Sequence, residues 1–157
     1  MLITRTRSDE PVEGIDHGPD ADDGFVEGAV LDFGSGIPGF PQSRYYRLEN
    51  LAPELQPFCV MRSVQESAIS FVLVAPGVLF PDYTIEIDEQ HVSSLDLGSA
   101  DEVMVLAIVT LGATPTANLL GPLVVNRRSR AAAQVVQYQS SYRAAEPLAS
   151  GSGTAAD

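Results

Sequence analysis

Val103-Met104-Val105-Leu106-Ala107-Ile108-Val109 is an unbroken apolar run of seven, dominated by Val and Ile. Membrane spans take about 18 or more apolar residues, so this run reads instead as a strand buried on both faces, the spine of the core. Upstream of it, Asp82-Tyr83-Thr84-Ile85-Glu86-Ile87-Asp88 alternates strictly. A strand places successive side chains on opposite faces, so Tyr83, Ile85 and Ile87 share the packed face and Asp82, Thr84, Glu86 and Asp88 the other. Val105, Ala107, Tyr83 and Ile85 are predicted core residues.

Working outward from these two strands, 13 Gly and 11 Pro interrupt the chain at short intervals and leave little room for helices of ordinary length. The pieces between them, at 29–33, 45–48, 58–64, 69–75, 103–111, 123–125 and 134–142, are rich in β-branched and aromatic residues. The expected fold is all-β, a compact antiparallel β-barrel-like single domain over residues 1–148 with one or two short helices. One helix is expected in 88–97, where Asp88 is placed to cap and Val92 and Leu95 fall three apart; a turn is expected near 50–55. Residues 8–23 carry seven acids and almost nothing apolar, and read as a solvated or disordered acidic insertion. The tail 149–157 is small and polar and is expected to be disordered.

Charge narrows function. Nine Arg and no Lys stand against 21 Asp plus Glu, a formal net charge of -12. Nucleic acid and anionic membrane surfaces are disfavoured, because both are held by basic groups. The 64 residues between Arg62 and Arg127 hold eight acids and no Arg or Lys, a local charge of -8. One cysteine, Cys59, excludes an internal disulfide, and His17 and His91 offer little imidazole chemistry, so neither metal nor cofactor is expected. The N-terminus lacks a basic region followed by an apolar run, and a soluble, cytoplasmic protein is expected.

Gly34-Ser35-Gly36-Ile37-Pro38-Gly39 matches a dinucleotide fingerprint in letters only. That motif must open a helix whose N-terminus holds pyrophosphate, whereas Pro38 and Pro41 bracket Gly39 and Phe40 here; a structural turn is expected. Cys59 lies in Phe58-Cys59-Val60-Met61 and reads as a buried thiol. The carboxylates Glu86, Asp88 and Glu89 admit two readings, a charged strand edge that discourages pairing or an acidic surface for a basic protein. Arg127, Arg128 and Arg130 read as a turn, with phosphate binding the lesser alternative.

The stretches Phe33-Gly34-Ser35-Gly36-Ile37-Pro38-Gly39-Phe40, Phe80-Pro81-Asp82-Tyr83, Ile108-Val109-Thr110-Leu111 and Thr116-Ala117-Asn118-Leu119-Leu120-Gly121-Pro122-Leu123-Val124-Val125-Asn126, followed by Gln134-Val135-Val136 and Ser141-Tyr142, resemble the FliW flagellar assembly factors. The matches are collinear over most of 29–148, and Leu2-Ile3-Thr4-Arg5 resembles that family's opening strand, although 8–27 forms a longer acidic insertion. The resemblance implies a non-enzymatic binding protein that takes flagellin and the RNA-binding translational regulator CsrA in competition, so that secretion of flagellin frees it to restrain the regulator. It implies no cofactor, a monomer when alone, and a partner-binding surface drawn from Phe80, Asp82, Tyr83, Glu86, Asp88, Asn118, Pro122 and Asn126. Asn118 and Asn126 carry a second reading, as amides that satisfy loop backbone. The residues alone also admit a small β-barrel enzyme with Glu86 and Asp88 as acid and base, or an oligonucleotide-binding module, which the charge opposes.

Overall fold

The structure is a computed structural model that describes residues 2–5, 11–12 and 27–148. Its strands are β1 (Leu2–Arg5), β2 (Pro11–Val12), β3 (Val30–Asp32), β4 (Tyr45–Asn50), β5 (Cys59–Ser63), β6 (Ser70–Val74), β7 (Thr84–Ile87), β8 (Val103–Thr110), β9 (Thr116–Ala117), β10 (Leu123–Asn126), β11 (Ala132–Gln134) and β12 (Glu146–Pro147). Two short helices, α1 (Pro76–Leu79) and α2 (Glu89–Ser94), flank β7, and single 3-10 turns occupy Pro53–Leu55 and Ala100–Glu102.

The apolar run becomes β8 and is a wall shared by two cores. Val103, Val105, Ala107 and Val109 face a cluster containing Tyr83, Ile85, Ile87, Leu95 and Leu97. Met104, Leu106 and Ile108 face the opposite cluster, with Leu31, Tyr46, Leu48 and Met61. Because the strand period is two, covering both faces leaves no position for a polar residue, which is why the run never alternates. Tyr83, Ile85, Val105 and Ala107 are all at most 3% exposed, as expected of core residues.

The main sheet has the order β11-β10-β8-β6-β5-β4-β3, with β9 between β8 and β12 at its side. Its strands pair antiparallel, with Val124 opposite Val105 and Leu73 opposite Ile108. A second sheet, β2-β1-β7, contains a parallel pair that departs from the antiparallel expectation: β1 runs alongside β7 with Ile3 opposite Ile85. The sheet is also not a closed barrel. The strands at its ends, β3 and β11, are three residues each, and the ends meet only at an isolated bridge, Asp32 to Ala131. Strands that short touch without forming the ladder that closure requires.

Three local expectations change. Pro76 and Gly77 were expected only to break structure, yet Pro76 starts α1, where its fixed φ is already helical and its missing N–H costs nothing. The strand expected over 134–142 is confined to β11, and 135–142 then lies across β7 through side chains. Pro11 and Val12, inside the acidic insertion, pair with β1; the rest of 8–23, and the tail 149–157, lie outside the described residues. The Gly34 to Gly39 segment is a turn with no helix after it, and Gly36 is obligatory there. Its φ is +93°, and a Cβ would sit 2.9 Å from the backbone of Phe40 and Pro41. No described helix is long and apolar enough to cross a membrane.

Candidate functional site

β7 presents the acidic face. Ile85 and Ile87 are each 1% exposed on its inner side, while Asp82 and Glu86 are exposed outward and Thr84 is half-buried. Neither the Asp82 nor the Glu86 carboxylate has an ion pair or hydrogen bond among the described residues. Asp88 differs. It caps α2, accepting from the His91 N–H at 2.8 Å and from the His91 ring Nδ1 at 2.8 Å. Burial pushes its carboxyl up, but the hydrogen bonds and charge of His91 outweigh that and hold it below the usual carboxylate range. Among the described residues two carboxylates on this face therefore have no partner, and the third is committed to a helix.

What holds β7 in place is a pair of side chains. Its one edge pairs with β1; along the other, Gln137 Oε1 accepts from the Glu86 N–H at 2.7 Å and Gln137 Nε2 donates to the Glu86 carbonyl at 3.0 Å. The amide does there what a neighbouring strand's peptide group would do. Two residues earlier, Tyr142 Oη accepts from the Thr84 N–H at 2.9 Å, and the Tyr142 ring packs edge-on against Tyr83, centroids 4.6 Å apart. Tyr83 Oη donates to the Leu119 carbonyl at 2.6 Å, and burial, with a contribution from Tyr142, raises its pKa.

Asn118 and Gln134 converge on one glycine. Asn118 Oδ1 accepts from the Gly121 N–H at 2.8 Å, and Gln134 Nε2 donates to the Gly121 carbonyl at 2.9 Å. Asn126 is 1% exposed and fully used: Nδ2 donates to the carbonyls of Leu95 at 2.8 Å and Asp96 at 3.2 Å, while Oδ1 accepts from the N–H groups of Arg128 and Ser129. Loop satisfaction is thus the work these amides do. Tyr83, Pro122 and Asn126 are buried, and half-buried Phe80 packs against the core. Sequence reasoning missed Gln137, whose bonds to Glu86 span 51 positions and leave no local pattern to read.

Cys59 is buried, which pushes its thiol up to about 12 and keeps it protonated and unreactive. Among the described residues no cluster of three or more His, Cys, Asp or Glu is placed to hold a metal ion.

The arrangement coincides with a known family. The FliW protein family matches residues 24–148. The chain belongs to it. The flagellar assembly factor FliW of Bacillus licheniformis is 38% identical over 125 residues, 78% of this chain and 87% of that protein, and that of Bacillus subtilis is 36% identical over 126 residues, with the same shares. A crystal structure of the flagellar assembly factor FliW superposes with a TM-score of 0.71 at 28% identity, covering 94% of this chain and 96% of that one. The likeness to FliW proteins therefore holds both in sequence and in the mostly antiparallel fold.

Proposed function

We propose that this chain is a cytoplasmic flagellar assembly factor, monomeric when alone, that binds flagellin and a CsrA-type translational regulator without turning over a substrate. The observation that carries the reading is the pair of outward carboxylates, Asp82 and Glu86, unpaired among the described residues, on a strand anchored at both edges and within a stretch of local charge -8. A regulator that holds RNA must be basic where it meets phosphate. An acidic face docked beside that surface is drawn to it and repels the RNA that would compete. Flagellin is expected to dock chiefly by an apolar stripe, and so to depend less on these charges.

The test is surface-based binding of wild type and the double variant Asp82→Lys/Glu86→Lys to each purified partner at low and high salt. Both side chains are exposed, so the fold is expected to survive. The regulator's on-rate should fall about tenfold or more at low salt and lose most of its salt dependence, while flagellin binding changes little. An unchanged regulator affinity removes the acidic face from the mechanism, and failure of wild type to bind either partner overturns the reading.

A further inference from the structure

Most described arginines have a carboxylate. Arg44 pairs with Asp32, Arg62 with Glu49, Arg128 with Glu102 and Arg143 with Glu146, and Arg47, though unpaired, is open to solvent. Arg127 and Arg130 are different. Both are half-buried, both have a buried Nε with no hydrogen-bond acceptor, and neither guanidinium has an ion pair among the described residues. Burying an Nε–H without an acceptor is unfavourable, and here it happens twice on one turn of a chain with 21 acids.

The fold brings two carboxylates to this turn, and both are engaged elsewhere. Glu102 takes Arg128 at 2.9 Å and the Gly98 N–H at 2.8 Å. Asp32 takes Arg44 through both oxygens and the Gly34 N–H. The turn itself is fixed from several directions: Arg127 N–H donates to the Glu102 carbonyl, Arg130 N–H donates to the Asn126 carbonyl, and the Arg130 carbonyl accepts from Asp32 N–H. Arg130 is held at φ 70°, a conformation that side-chain-bearing residues seldom adopt. Rigid backbone, a left-handed residue and two half-buried guanidiniums without an ion pair among the described residues together describe a preorganised receptor, with the Nη ends left to meet an acceptor supplied from outside.

We propose that Arg127 and Arg130 form a carboxylate-recognition site for an acidic segment of a protein partner, independent of the function proposed above. A guanidinium fork matches a carboxylate in two parallel hydrogen bonds. The net charge of -12 selects among anions: a nucleic acid extends its phosphates beyond the turn into repulsion, whereas one or two Asp or Glu side chains on a protein end where the arginines end.

The experiment follows the arginine Nε–H resonances of the full chain by NMR during titration with the peptide acetyl-AEAAEA-amide, with inorganic phosphate and a single-stranded oligouridine as separate arms. Saturable shifts of both resonances are expected with the peptide, with a Kd on the order of 1 mM, and weaker responses in the other arms. Thermal unfolding of Arg127→Met/Arg130→Met, which keeps the apolar stems, separates recognition from architecture: the midpoint should hold or rise, since two buried donors without acceptors are removed. Arg127→Lys/Arg130→Lys should retain charge but bind the peptide less well. No saturable peptide response, tighter binding of phosphate or oligouridine, or a fall in the Met variant's midpoint of about 4 °C or more would each overturn the proposal.

Discussion

Replacing Gln137 by Ala should release β7 from the edge that the acidic face depends on. The side chain makes three hydrogen bonds, to the Glu86 N–H at 2.7 Å, the Glu86 carbonyl at 3.0 Å and the Val135 carbonyl at 3.1 Å, and the residue is 6% exposed. At about 1 kcal/mol net for each bond the gross loss is about 3 kcal/mol. Two effects reduce it: the Glu86 edge is only partly buried, so water recovers some of the bonding, and Ala escapes the entropy that Gln loses on ordering. We expect about 2 kcal/mol, a substantial part of the 5–15 kcal/mol typical of a domain. The chain has no Trp, so urea unfolding is best followed by far-ultraviolet circular dichroism. Hydrogen exchange gives the local test. The Glu86 amide is protected by a side chain alone, and its exchange should accelerate roughly 30-fold, the equivalent of that loss. Gln137→Glu adds a sign: its carboxylate would accept from the Glu86 N–H yet face two carbonyls, so it should be worse at neutral pH than in acid. A loss under about 0.5 kcal/mol with unchanged Glu86 exchange would show that the clamp carries none of the strand's stability.

Ile85→Ala should cost about 2–5 kcal/mol by urea unfolding, because the side chain is 1% exposed and truncation leaves a cavity; under about 0.5 kcal/mol would mean that the faces of β7 are reversed. Asp88→Ala should cost about 1 kcal/mol through loss of the α2 cap. Because the folded Asp88 carboxyl lies below its ordinary value of 3.8, its contribution is present above that value and is lost as pH falls through the lower folded one. Asp88→Asn, which still caps, should therefore lose less stability than wild type between about pH 7 and about pH 3; an equal loss would refute the assignment.

Where the structure matched the sequence, the determinants were local. The run from Val103 to Val109 lacks alternation, and a strand of that kind is stable only between two layers. The alternation around Ile85 fixed which carboxylates face outward, and Asp88 announced α2 because a cap and its helix are three residues apart. Even the loop-holding group of Asn118, Gly121 and Gln134 was visible as a pattern, although its meaning, two amides gripping one glycine from both sides, was not.

Tertiary placement decided the rest. Whether an all-β chain closes depends on whether its end strands are long enough to zip, and β3 and β11 meet at one bridge. Which acids are free depends on what reaches them: Asp88 is taken by His91, Asp82 and Glu86 by nothing among the described residues. Gln137 finds Glu86 across 51 positions, Asn126 finds Leu95 across 31, and Arg127 and Arg130 find no acceptor among the described residues. Secondary structure follows from periods and caps that act within a few residues. Hydrogen-bond and charge satisfaction is settled between groups that only the folded chain brings within about 3 Å of each other, so composition sets the supply of partners and the fold alone assigns them.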